Sequence, residues 1–377
     1  MPQPYHLPAT ASQVVFPAAG VVEFGRKPVP APGPDDVLVR VALVGVCATD
    51  LHLLAGHIGD PFPLVPGHEF VGVVAALGAA AARDRRLAVG DRVAVEMLLP
   101  CGRCPRCREG RYNLCDLDDG AAGLPRGRQM GVNIPRTVAP GLWGGYSDVL
   151  FVPREAIVHR LPEGLEWNRA VLTEPLAVAY RALTRGRVRA GDTVAVVGPG
   201  PVGLLVAAAA ADAGAARVAM IGTRSERLAL ALELGADTVI NSRETDPVAA
   251  LHDAFGGGAD VVIEMAGVTS AQQQAVRLAR RGGRVVLAGA CGAAAPVTFL
   301  ADEDLLTREI DLLPSFLSAG GFEPAIAFLG RSTLPVERIV THRFALEDTE
   351  AAFVTVSERA DGALKVVLVP GDPPEDW

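Results

Sequence analysis

Six residues, Gly198-Pro199-Gly200-Pro201-Val202-Gly203, constrain this chain more than any other stretch. A short apolar run, Thr193 to Val197, precedes them. An alanine-rich run to Asp212 follows, and then a second apolar run from Arg217 to Ile221. Strand, Gly-x-Gly-x-x-Gly, helix, strand gives each glycine a physical task. The first permits a tight turn, the second lets a ligand approach the backbone, and the third lets helix and strand pack closely. The free N–H groups at the helix start then face an anion. A dinucleotide pyrophosphate is the expected ligand, held by Gly198, Gly200, Pro201, Val202 and Gly203.

The alternation continues downstream. Residues 225–234 read as a helix, 238–240 as a strand, 260–264 as a strand, 271–279 as a helix and 284–288 as a strand. The predicted fold class is therefore α/β, with a Rossmann-type doubly wound parallel sheet over residues 172–316. The first 171 residues have another texture. Val-rich strands at 37–44, 70–77 and 91–97 are separated by turns and by an Ala- and Arg-rich loop at 79–86. That pattern predicts a mostly-β barrel domain. A short helix starts near Thr49 or Asp50. Residues 317–377 carry a helix at 323–329 and a strand at 363–369, and are expected to return to the first domain.

Metal-ligand chemistry concentrates in the first domain. Cys47 ends the strand 37–44 and its Gly45-Val46 extension. Gly67-His68-Glu69 and Thr173-Glu174-Pro175-Leu176 come later. Cys47, His68, Glu69 and Glu174 together offer a thiolate, an imidazole and two carboxylates, the donor set of a catalytic zinc with an open position. Each alone reads as a buried or surface residue; the combination makes the case. Cys101, Cys104, Cys107 and Cys115 are spaced Cys-x2-Cys-x2-Cys-x7-Cys. Four thiolates at such spacing predict a closed structural zinc site, with an iron–sulfur cluster as the alternative. Residues 116–145 form a long Gly- and Pro-rich loop, and Trp143 within it and Tyr146 just after it either line a pocket or pack in the core.

The 377 residues carry a net charge of −8 with no long basic run, which speaks against nucleic acid as a partner. Arginine supplies almost every cation; only Lys27 and Lys365 are lysines. The apolar run near Val202 is too short to span a bilayer, and residues 1–6 lack a signal-peptide pattern. No membrane partner and a cytoplasmic location are expected.

These motifs, in this order and from end to end, resemble the zinc-dependent medium-chain alcohol/polyol dehydrogenases. Glu174, where many alcohol dehydrogenases have cysteine, is similar to the sorbitol and threonine dehydrogenase branch. The resemblance implies a GroES-like catalytic domain, one catalytic and one structural zinc per chain, and a homo-dimer or homo-tetramer. It implies Cys47, His68 and Glu174 as ligands of the catalytic zinc, with Glu69 a direct or alternate ligand. Thr49 takes the place of the hydroxyl that receives the alcohol proton, and His52 that of the relay imidazole. The implied reaction moves a hydride between a nicotinamide cofactor and a secondary alcohol, polyol or cyclitol and its ketone. A zinc-free reductase of the same superfamily and a non-enzymatic zinc-binding module are the competing readings.

Cofactor choice rests on residues 222–227. An NAD-type fold carries an acidic residue about 20 residues past the glycines. Here the strand runs into Gly222-Thr223-Arg224, with Arg227 one turn on. With no carboxylate, a hydroxyl donor and two guanidinium groups, the expectation is NADP rather than NAD.

Overall fold

The computed structural model describes residues 7–117, 128–292 and 295–371. The N-terminal residues 1–6 and part of the expected long loop, 118–127, lie outside the described residues.

In chain order the elements begin with strands β1 (Thr10–Val15), β2 (Glu23–Pro28) and β3 (Val37–Val46), then helix α1 (Ala48–Leu54). β4 (Glu69–Leu77), α2 (Ala79–Arg85), β5 (Arg92–Val95), β6 (Leu98–Leu99), α3 (Pro105–Arg108), β7 (Arg128–Gln129), β8 (Val149–Val152), β9 (Val158–Arg160) and α4 (Trp167–Ala170) follow. Next come α5 (Thr173–Arg185), β10 (Thr193–Val197), α6 (Pro201–Asp212), β11 (Arg217–Gly222), α7 (Ser225–Glu233), β12 (Thr238–Asn241), α8 (Pro247–Phe255) and β13 (Ala259–Glu264). The chain ends with α9 (Thr269–Leu278), β14 (Ala279–Leu287), β15 (Asp311–Pro314), α10 (Phe322–Arg331), β16 (Val340–Ala345), α11 (Thr349–Glu358) and β17 (Lys365–Val369).

Two compact units form, residues 1–174 with 337–377 and residues 175–336. The first is built on a sheet ordered β16-β17-β3-β4-β5-β9, with β8 also paired to β3. β3 is buried over almost its whole length because strands cover both edges and residues pack on both faces, so its Val-rich run has no alternation. In the second unit six parallel strands run in the order β12-β11-β10-β13-β14-β15. The order reverses between β10 and β13, and ligands of open α/β sheets bind beyond the strand ends at such a switch.

Several expected elements differ. The loop expected at 79–86 is α2: alanine favours helix, and Arg86 ends it in the left-handed conformation. The return to the first unit falls at 337, not 317. The reason is local packing, since the Phe328 ring lies 6.4 Å from Tyr180 of α5. A Cβ at Gly321 would also meet the Ala177 carbonyl oxygen at 2.1 Å. No helix among the described residues is long and apolar enough to cross a membrane.

Candidate metal and nucleotide sites

Sheet register builds the first metal-binding group. Gly45 of β3 pairs with Glu69 of β4 on one side and with Val367 of β17 on the other. A Cβ at Gly45 would lie 2.0 Å from Glu69 Oε2, so the glycine makes the room that the carboxylate occupies. Cys47 follows β3 as the N-cap of α1, where its extended backbone starts the helix. Thr49 therefore sits inside the first turn, not at the cap. His68 enters immediately before β4. The Cys47, His68 and Glu69 ligand atoms lie within 4.8 Å of one another. His68 and Glu69 are buried and Cys47 is half-buried. Glu174, buried at the start of α5, is not in that group among the described residues.

Asp50 stands behind the group with no solvent exposure. Its Oδ2 accepts from the Cys47 amide at 2.9 Å and from the Tyr146 hydroxyl at 3.0 Å. Its Oδ1 is 3.5 Å from His68 Nδ1, and neither of those atoms has a hydrogen-bond partner. Burial lowers the proton affinity of His68, but the Asp50 carboxylate and the Cys47 sulfur outweigh it and hold the imidazole well above its usual range. A carboxylate beside an imidazole that also lies within 4.8 Å of the Cys47 sulfur fits a ring oriented for a metal.

Sequence reasoning missed Lys365. Its ammonium donates to both Glu69 oxygens, at 2.8 and 2.7 Å, and lies 3.3 Å from the Val46 carbonyl oxygen. Both side chains are almost fully buried. Burial lowers the lysine's proton affinity, yet the charges of Glu69 and Cys47 more than restore it, so its pKa is raised. A signal was present: a lone lysine inside the apolar run 363–369 of an arginine-dominated chain needs a buried partner.

Thr49 Oγ1 is 3.6 Å from the Cys47 sulfur. His52 is exposed on α1, with its Nδ1 3.4 Å from His57 Nδ1. Trp143 and Tyr146 are both buried core aromatics. Burial, then the Asp50 charge, raises the Tyr146 pKa far above its usual value, so its hydroxyl stays a donor.

The four-cysteine lobe has the geometry its spacing predicts. All four sulfurs lie within 4.8 Å of one another, and Cys101 and Cys107 sulfurs are 4.0 Å apart. Sulfurs about 2.3 Å from a tetrahedral zinc would be separated by about 3.8 Å. Backbone N–H groups of Cys101, Cys104, Cys107 and Leu117 donate to the Cys115, Cys101 and Cys104 sulfurs and again to Cys115. Amides of Arg103 and Cys104 pull the Cys101 pKa down to about 6, while burial and the neighbouring Cys104 push Cys107 up to about 12. A bound cation would offset the repulsion among four thiolates held this close.

In the second unit β10 runs into Gly198, whose φ is +107° and whose Cβ would meet the Ala266 amide at 2.7 Å. A Cβ on Gly203 would strike the Gly198 carbonyl oxygen at 1.9 Å, which is the close strand–helix approach the motif predicts. At Gly200, nothing lies within 4 Å of that position, leaving open space over the N-terminus of α6. This cradle fits a pyrophosphate. Gly222 needs another explanation: its Cβ would meet the Pro199 ring at 2.4 Å. Packing against Pro199 is thus a second reason for glycine at this position. The Arg224 side chain makes no hydrogen bond or ion pair with any described residue. Ser242, at the end of β12, donates to the Gly222 carbonyl oxygen at 2.8 Å, which brings Arg243 beside the same strand tip. The pairing of β11 with β12 was not legible in sequence, so Ser242 and Arg243 went unnoticed.

Residues 33–163 match the family model described as the alcohol dehydrogenase GroES-like domain, and residues 201–331 the one described as zinc-binding dehydrogenase. The chain is 35% identical over 353 residues to an erythritol/L-threitol dehydrogenase of Mycolicibacterium smegmatis, covering 91% of this chain and 92% of that protein. Its fold is similar to that of a zinc-binding dehydrogenase from Sinorhizobium meliloti bound to NADP, with TM-score 0.84 and 32% identity, covering 96% of this chain and all of that one. It is also similar to an alcohol dehydrogenase of Escherichia coli complexed with NADH, with TM-score 0.83 and 28% identity over the same shares.

Proposed function

The chain belongs to the zinc-type medium-chain alcohol and polyol dehydrogenases, and on that premise we propose that it interconverts a polyol or secondary alcohol with its ketone, preferring NADP. The observation that carries this reading is the Cys47–His68–Glu69 group, backed by Asp50 and neutralised by Lys365. Cys47, His68 and Glu69 hold the catalytic zinc, and Glu174 is the alternate carboxylate. When bound, zinc stabilises charge developing on the substrate oxygen as a Lewis acid, and the nicotinamide accepts or returns the hydride. Thr49 takes the hydroxyl proton and His52 delivers it to solvent; the position of Thr49 one turn before His52 on the same helix supports this order. Cys101, Cys104, Cys107 and Cys115 hold a structural zinc that contributes folding free energy and leaves no open position.

For the cofactor, Gly198, Gly200, Pro201, Val202 and Gly203 take the pyrophosphate. Thr223 and Arg224, with Arg227 behind them, take the phosphate on the adenosine ribose. The unpartnered Arg224 guanidinium and the lack of a carboxylate at residues 222–224 support NADP over NAD. The substrate class is taken from the erythritol/L-threitol relative. A homo-dimer or homo-tetramer in the cytoplasm completes the proposal. The test combines zinc analysis with turnover of a panel of polyols and ketones with both cofactors. Two zincs per chain and polyol oxidation with NADP are expected. One zinc per chain with no polyol turnover would return the competing reading of a zinc-binding module.

A further inference from the structure

We propose that Tyr146 is a positioning residue of the metal site, its hydroxyl fixing the Asp50 carboxylate that orients His68. The proposal rests on the metal reading above and extends it one residue outward.

Three observations converge on Tyr146, which is fully buried. Its amide donates to the Pro66 carbonyl oxygen at 3.0 Å, and the preceding Gly145 amide donates to Gly67 at 2.8 Å. Residues 145–146 thus hold the turn that delivers His68. The ring occupies the space where Gly67 has no side chain. A Cβ there would meet ring carbons at 2.3 and 2.8 Å, and Gly67 has a φ of +92° that favours glycine. Finally, the hydroxyl donates to Asp50 Oδ2 at 3.0 Å, the oxygen that also accepts from the Cys47 amide. One carboxylate oxygen is pinned by two donors, one of them the Cys47 amide. The other oxygen, Oδ1, is left facing His68 Nδ1 at 3.5 Å.

A core aromatic needs no hydroxyl. Phenylalanine would fill the same space against Phe353, whose ring centroid is 6.1 Å away. The hydroxyl matters because Asp50 has no solvent to hold it, and with a single donor its carboxylate is free to rotate away from the imidazole. Outer partners of this kind are worth about 10–100-fold in metal affinity. Tyr146 acts through Asp50, so the lower end applies.

The experiment follows zinc release from the full-length, zinc-loaded protein to the chelator 4-(2-pyridylazo)resorcinol. Cys47→Ser identifies which release phase belongs to the catalytic site. Tyr146→Phe should speed that phase about tenfold while leaving the other phase unchanged. Asp50→Asn should speed it at least as much, and the double variant no more than Asp50→Asn alone, because both act through one carboxylate. A wild-type release rate in Tyr146→Phe overturns the proposal, as do effects that multiply in the double variant or a lowered melting temperature without faster release. If Cys47→Ser removes no phase, the metal reading itself fails and the proposal with it.

Discussion

Replacing Lys365 with methionine removes the cation facing Glu69 while keeping the length and apolar stem of the side chain. The two side chains are 4% and 3% exposed, and the ammonium lies 2.7 and 2.8 Å from the carboxylate oxygens. At an effective dielectric near 20, opposite charges at about 4 Å attract by about 4 kcal/mol. Desolvation offsets most of that gain, so the intact pair contributes little. Breaking it is different, because Glu69 is then a buried charge without a partner, at a cost of about 3–5 kcal/mol. With a denaturant slope of about 2 kcal/mol per molar, the urea midpoint of the metal-free first unit should fall by about 1.5–2.5 M at pH 7. Trp143 and Trp167, both buried in that unit, report its unfolding by fluorescence. The lysine's pKa is raised in the fold, so its contribution is present below the unfolded value and is lost only as pH rises through the higher folded value. The wild-type pair should therefore hold throughout pH 6 to 9. Adding Glu69→Gln to Lys365→Met should recover most of the loss. A fall worth less than about 1 kcal/mol, or a double variant as unstable as the sum of its parts, would refute the reasoning.

Cys47→Ser should lose one zinc and nearly all turnover while the lobe keeps its metal; full zinc content with near-normal activity would contradict the ligand role. Cys104→Ser should lower the melting temperature without changing substrate preference, which a polyol panel on the surviving protein checks. Arg224→Ala should lower the ratio of kcat/KM for NADPH over NADH by about ten- to a hundredfold, corresponding to a charge-assisted contact of about 1.5–3 kcal/mol. An unchanged ratio would move selectivity to Thr223, Arg227 or Arg243. Burial raises the pKa of the half-buried Asp148 to about 6. Its ionisation therefore opposes folding as pH rises from the unfolded value through about 6. Asp148→Asn should stabilise the protein by about 1 kcal/mol at pH 8, after discounting for solvent screening, and by nothing at pH 4, measured by calorimetry at both values.

Elements whose identity depends on near neighbours in the chain were legible from sequence. The turn Gly198–Gly203 needs glycine for steric reasons local to one strand and one helix, and the four cysteines of the lobe lie within a short segment. The strand Val37–Val46 and helix Phe322–Arg331 likewise announce themselves by unbroken apolar runs or helical periodicity. Helices α5, α8 and α11 and strands β15 and β16 were missed, being short or set by what they pack against.

The sequence by itself determined the donor types, their order and the nucleotide-binding turn, because side-chain chemistry and backbone permission belong to single residues. Tertiary structure alone decided which donors meet. Glu69 joins Cys47 and His68 because β3 and β4 pair at Gly45, and Lys365 reaches that carboxylate across the same glycine from β17. Asp50 accepts from both Cys47 and Tyr146, although 96 residues separate it from the tyrosine. Gly222 reads as a phosphate signal in the chain, and the fold adds a second demand on it, since a Cβ there would meet the Pro199 ring. Strand register and burial are collective properties of segments far apart in sequence, and a carboxylate's partner, unlike its charge, cannot be read from its neighbours in the chain.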